Sequence, residues 1–217
     1  MPFTLRFVPN ADLTNLGLFP LGLVLLPGEH VPLHIFEPRY RALIADCTLG
    51  ARPFVLSFAI DDGVTKIGCT AHPQALVRRF ADGRMNLIVE GAERVEIVEQ
   101  TTGELYITAH VRRIVDVDEP ANEALAGEVT ERFARLSAAV AGSAHEPDVR
   151  DGGVPLSYAI AGSFELDPAP KQQLLESRSE TERLTLVRAL LDTALAGLDR
   201  QEVAAERAQT NGKVTLQ

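Results

Sequence analysis

The hydrophobic period changes once along this chain, near residue 118, and that change constrains the fold more than any single motif. Up to about residue 117 the apolar residues come in short alternating or continuous runs broken by turn residues. Beyond it they recur every three or four positions. Period two places alternate side chains on one face of a strand, and period 3.6 places them along one stripe of a helix. The expected architecture is therefore α+β. A β-rich part occupies 1–117 with one helix near 38–49, a helical bundle follows over 118–208, and a disordered tail closes the chain over 209–217. Hydrophobic residues make up 46% of the sequence, enough to build a core under both kinds of element.

In the first part, "LGLVLLPGEH" (21–30) is an apolar run closed by the turn pair Pro27-Gly28. "HVPLHIF" (30–36) alternates, with Val31, Leu33 and Ile35 on one side and Pro32, His34 and Phe36 on the other. "PFVLSFAI" (53–60) is continuously apolar, as expected of a strand covered on both faces, and ends at Asp61-Asp62-Gly63. Ala81-Asp82-Gly83 reads as a hairpin turn in which Gly83 takes positive φ, and Gly91 predicts a bulge or bend in the following strand. In "ELYITAHVRRIVD" (104–116) the alternation predicts Leu105, Ile107, Ala109 and Val111 inward, with Tyr106, Thr108, His110 and Arg112 outward. Many short strands with bulge signals suggest a small, partly closed barrel.

The stretch "PLHIFEPRYRALI" (32–44) is a strand handing over to a helix. Tyr40, Leu43, Ile44 and Cys47 fall on one helical face that ends near Gly50. Pro38 suits the first helical position, and it forces Glu37 into extended backbone, where its charge meets the helix N-terminus. Arg39 and Arg41 are expected to pair with Glu37 or with a carboxylate on a neighbouring strand. In the second part, Ala121, Leu125, Val129, Phe133, Leu136 and Val140 form a stripe, with Pro120 in the first turn and Gly142 past the end. A short helix is expected around Leu156 and Ile160, another from Pro168 through Leu175, and a last one striped by Leu184, Val187, Leu191, Ala194 and Leu198. That last stripe fits closure inside the bundle or continuation into a dimer. Closure inside the bundle is the expectation, and the oligomeric state stays open.

Self-contained chemistry is not visible. Gly212-Lys213 is followed by Val214, so no phosphate-binding P-loop exists, and neither "AGSA" (141–144) nor "AGSF" (161–164) sits on a nucleophile elbow. The five histidines lack HExxH or i, i+4 spacing, and Cys47 and Cys69 lack metal-ligand spacing. No metal and no cofactor are expected. The two cysteines read as small buried hydrophobes in a reducing compartment, with a disulfide left open. A hydrolase assembled from His34, Glu37 and Ser57 has only composition behind it. The net charge of −9 opposes nucleic-acid binding, and most of the acidic surplus lies beyond residue 118, on expected solvated helix faces. No window approaches the ~20 apolar residues of a membrane span, and no leader is recognisable, so a cytoplasmic protein is expected.

The run "LFPLGLVLLPGEHVPLHIFEPRYRALI" closely resembles the opening of the Lon protease N-terminal domain, also called the Lon substrate-binding domain. The resemblance continues through Gly68-Cys69-Thr70-Ala71, Asp82-Gly83-Arg84 and Gly91 with Arg94, and reaches "KQQLLESRSETERLTLVRALL", covering about 16–200. It implies a PUA-like β-barrel or pseudobarrel followed by a C-terminal helical bundle. It also implies a non-catalytic role in binding polypeptides, whether unfolded or tagged substrates or a dedicated protein partner. With no ATPase or peptidase motif in view, a stand-alone family member is expected, and not an enzyme. RNA binding through the PUA-like barrel is the alternative, and it requires Arg78 and Arg112 to merge into one positive face. A groove between barrel and bundle is the expected binding surface, with Phe19, His34, Phe36 and Tyr40 as its candidate lining. The bland alternative puts all four in the core.

Overall fold

The spine of the fold is one long strand, Met85–Thr102, to which three of the other six strands are paired. The structure is a computed structural model and describes residues 13–102, 105–141, 147 and 153–211. Its strands are β1 (Leu13–Leu21), β2 (His30–Ile35), β3 (Phe54–Ile60), β4 (Gly63–Val64), β5 (Ile67–Arg79), β6 (Met85–Thr102) and β7 (Ile107–Arg113). Helix α1 (Pro38–Gly50) interrupts them, and α2 (Glu123–Ala141), α3 (Leu156–Ala161), α4 (Pro168–Glu176) and α5 (Glu180–Asn211) follow. The sheet runs β1-β7-β6-β5-β3-β4. A parallel pairing of Leu18–Leu21 with Val55–Phe58 brings β1 back to β3. Strand β2 lies off this path, paired with the first half of β6, so the sheet is a pseudobarrel and not a closed barrel.

The continuous apolar runs are explained by two interiors. Phe19, Phe54 and Leu56 face the main core, which also takes in α1 and the helices of the second part. Leu18 and Val55 face a smaller core with Leu16, Val95, Ile97, Ala109 and Val111. Strands β1 and β3 are thus covered on both faces, and alternation disappears where both sides are dry. The main core is continuous from the sheet to Leu125, Val129, Leu184 and Leu191, so the change of period near 118 marks a change of element and not a break in packing.

Several details differ from the sequence expectation. Residues 22–29 are not a strand: Val24, Leu25 and Leu26 are buried in an irregular segment pinned to β6 by Gly28 N–H to Gly91 O and Gly91 N–H to Glu29 O. At Gly91 a Cβ would stand 2.2 Å from the Leu26 carbonyl oxygen, so glycine is there for close approach. The bulge lies just beyond it, where β6 spends an extra residue between Gly91 and Arg94. Leu105 and Ile107 are 65% and 41% exposed, because they lie beyond the smaller core that buries Ala109 and Val111, whereas Tyr106, expected outward, is half-buried against the main core. Pro120 precedes α2, whose first turn is capped instead by Asn122 Oδ1 accepting the Leu125 N–H at 3.1 Å. On α5, Leu184, Val187 and Leu191 are buried but Ala194 is exposed, and the helix runs on to Asn211, past the expected start of the tail. Gly142 and residues 212–217 lie outside the described residues.

Gly91→Ala is expected to destabilise the protein by about 1–3 kcal/mol, the usual cost of forcing an atom into packed structure. Urea unfolding of the variant measures this directly.

Candidate functional site

The strand-to-helix joint forms as its residues dictate. Glu37 is extended (φ −71°, ψ 134°), Pro38 opens α1, and Tyr40, Leu43, Ile44 and Cys47 are its buried face. Phe19 packs into the same place from β1, stacked on Tyr40 with ring centroids 4.0 Å apart. At 3% and 8% exposure these two candidates are core. His34 and Phe36 point the other way, as the alternation of β2 requires, and Phe36 is 58% exposed. The structure therefore divides the four candidates into a buried pair and a surface pair.

Register then decides what surrounds the surface pair. His34 stands opposite Asn86, which stands opposite Arg78, so these three side chains form one row across β2, β6 and β5. The Nδ1–H tautomer of His34 donates to Asn86 Oδ1 at 2.5 Å. The His34 ring lies 6.0 Å from Phe36 and 6.1 Å, edge-on, from Phe80. Arg78 and Arg84 sit over the Phe80 ring at 4.7 and 5.3 Å. The hairpin tip closes this band. Phe80 N–H donates to Arg84 O, Gly83 has φ +87°, and Asp82 accepts the Arg84 backbone N–H. That backbone bond, then the Arg84 side chain, hold the Asp82 carboxyl below its ordinary value despite slight desolvation. Arg39 pairs with Glu37 at 2.8 Å, while Arg41 donates to the Asp82 carbonyl instead of a carboxylate. Phe80 and Arg84 were missed by the sequence reading, although the hairpin signal at Asp82-Gly83 would have placed both beside Arg78.

The joint between sheet and helices is built from buried charge. Arg183 donates to Asp116, Glu180, Ser157 Oγ and the Ser177 carbonyl, and Arg94 donates to Asp116 and to the Leu175 and Ser177 carbonyls. Both guanidiniums lie against the Tyr158 ring, Arg183 at 4.6 Å and Arg94 at 5.8 Å from its centre, and Tyr158 donates to the Leu174 carbonyl. Burial alone would raise the Asp116 carboxyl, but Arg183 and then Arg94 outweigh it and hold it low. A second pair, Lys171 with Glu29, ties α4 to the segment before β2. Clefts remain at this joint, including one of about 290 Å3 lined by residues such as Asp116, Pro120 and Glu180. Another of about 850 Å3 is lined by residues including Pro27, Arg94, Ile114, Val115 and Tyr158, and one of about 390 Å3 by others including Gly28, His30, Val154 and Ser163. None of Phe19, His34, Phe36 and Tyr40 lines any of these clefts.

The hydrolase trio does not assemble. His34 is bonded to Asn86, Glu37 to Arg39, and the buried Ser57 Oγ donates to the Thr65 carbonyl. Cys47 and Cys69 are free and buried, which pushes the Cys47 thiol up to about 11 and the Cys69 thiol higher still. Among the described residues no group of three or more His, Cys, Asp or Glu stands together as a metal site. Arg78 and Arg112 stand against opposite halves of β6, and Arg112 is paired with Glu96, so these two do not merge into one face.

The family model of the ATP-dependent protease La (LON) substrate-binding domain matches residues 15–193. Lon protease 2 of Herpetosiphon aurantiacus is 26% identical over 208 residues, which take in 88% of this chain and 25% of that protein, so the chain spans about a quarter of its length. A crystal structure of a Lon N-terminal domain protein from Xanthomonas campestris superposes with a TM-score of 0.61 at 25% identity, covering 82% of this chain and 98% of that one. The N-terminal domain of a Mycobacterium avium complex Lon protease gives 0.66 at 21% identity over the same shares, a likeness of fold.

Proposed function

The chain belongs to the Lon substrate-binding domain family, and from that premise we propose that it is a non-catalytic module that recognises polypeptides. The observation that carries this reading is the aromatic band of exposed Phe36 and His34 with half-buried Phe80, beside an edge strand on which Leu76 and Val77 are 59% and 62% exposed. Apolar side chains left in water beside a rim of arginines are the usual make-up of a protein-binding surface. The partner is an unfolded or tagged polypeptide or a dedicated protein.

A titration against apolar and aromatic-rich peptides, beside a mixed-sequence RNA and a native folded protein, tests the reading. Saturable binding to peptides alone is expected. Absence of peptide binding at high micromolar concentration would sink it, and preferential RNA binding would replace it with the nucleic-acid alternative. The candidate residues separate in the same assay. Phe36→Ala should leave stability within about 0.5 kcal/mol and weaken peptide binding. Phe19→Ala should cost about 3–5 kcal/mol of stability as a core truncation.

A further inference from the structure

The sheet is unfinished along the outer half of β5. Strand β3 covers β5 only from Cys69 to Ala71, and no other strand among the described residues takes up that edge beyond it. Residues 74–79 are all exposed although they are paired with β6 on their other side. Leu76 makes the gap plain. It stands in register with Leu87, which is 2% exposed on the inner face of the sheet, yet Leu76 itself is 59% exposed. The apolar face simply runs out at β5, and one more strand would continue it over Leu76.

Charge says which strand. The protein carries a net −9, but this edge carries Arg78 and Arg79, neither of them in an ion pair among the described residues, with Arg41 bonded to the neighbouring turn. Glu37 and Asp82 nearby are already taken by Arg39 and Arg84. A second copy of this edge would bring arginine against arginine and meet the two register shifts, between Pro73 and Ala75 and between Leu76 and Arg78. Those devices protect an open edge against its own kind. The same two guanidiniums attract a strand that carries carboxylates.

We infer that the outer edge of β5, residues 74–79, takes up an extended peptide segment that alternates acidic and apolar residues, added as a further strand. This deepens the polypeptide-recognition reading and rests on it. Main-chain hydrogen bonds would give affinity, Leu76 would cover the apolar side chains on the inner face, and Arg78, in register with Asn86 on the outer face, would meet the carboxylates.

Strand addition has a signature that side-chain binding lacks. In a strand paired along one edge, alternate N–H groups point at the partner and the rest point away. The probe is a capped peptide of about eight residues alternating glutamate and valine, compared with the same peptide N-methylated at every second residue in each of the two phases. Binding is expected to fall at least about tenfold in one phase and to persist in the other. Arg78→Glu with Arg79→Glu, both on exposed positions, should weaken the unmethylated peptide by about tenfold and favour a lysine–valine peptide instead. Equal binding of both phases, or indifference to the arginine reversal, would overturn the edge while leaving polypeptide recognition intact. If no peptide bound and an oligouridylate were captured through the same arginines, both readings would fall together.

Discussion

Arg183→Met is expected to lower the unfolding free energy by about 3–5 kcal/mol, the range found when one member of a buried ionic network is removed. The Arg183 side chain is 0% exposed, and each of its three guanidinium nitrogens has two acceptors. Methionine fills part of the volume but donates nothing. Ser157 Oγ and the Ser177 carbonyl each lose a donor, Asp116 keeps only the guanidinium of Arg94, and Glu180 keeps only the N–H and hydroxyl of Ser157. Asp116 and Glu180 retain about a third of their exposure, so water relieves some of that charge. The hydrogen-bond loss and the gap beside Tyr158 are not relieved, and they set the lower end of the range.

Two controls separate this from a surface effect. Raising the salt concentration should hardly change the loss, because a fully buried ion is poorly screened. The exposed Arg132–Asp192 pair, removed in the same way, should cost under about 1 kcal/mol. The pH dependence follows from Asp116. Its folded pKa is held below the unfolded value of about 3.9, so its contribution is present above that value and lost as pH falls through the folded one. Without Arg183 the depression shrinks, and the acid limb of the stability curve should flatten. Urea unfolding across pH measures both effects, and a loss below about 1 kcal/mol at neutral pH would show that the network does not hold the joint.

Local pattern was enough to find most elements but not what joins them. Tyr40, Leu43, Ile44 and Cys47 are the buried face of α1, and the alternation of β2 correctly sends Leu33 and Ile35 inward with His34 and Phe36 outward. Each of these depends only on period and on the position of Pro38. The same rule misplaced Leu105 and Ile107, because period two tells which residues share a face and not where the covering layer stops. Arg183 reads in sequence as one more charge on a helix rich in charge. It does lie four residues before Val187 and one before Leu184, on the edge of the buried stripe, but its partner Asp116 is 67 residues away. The surface band was half legible. His34 and Phe36 share a face by alternation, while Phe80, Arg78 and Arg84 reach them only through the pairing of three strands.

Lys171 and Glu29 are the longest-range of these joints, 142 residues apart, and a double-mutant cycle should show them acting as one unit. Both side chains are nearly buried, at 10% and 8% exposure. Glu29 also accepts the Leu26 N–H at 2.9 Å, and Lys171 reaches the Val24 carbonyl at 3.4 Å. Lys171→Met removes the cation and leaves a carboxylate in an apolar corner with one backbone donor. A loss of about 3–5 kcal/mol is expected. Glu29→Gln preserves shape and still offers an oxygen to Leu26, so its cost is confined to an ammonium left among neutral acceptors. The two changes together remove both charges, keep the Leu26 bond and fill the lysine stem with a side chain of similar length. That pair should recover most of the loss, with a coupling energy of about 2–3 kcal/mol. The segment that carries Glu29 is the same one pinned to β6 at Gly91, so the lesion in Lys171→Met should also speed hydrogen exchange at the Leu26 amide. A double variant no more stable than Lys171→Met alone would mean that the contact is packing and not charge, and that the bundle is held to the sheet chiefly through Arg183 and Arg94.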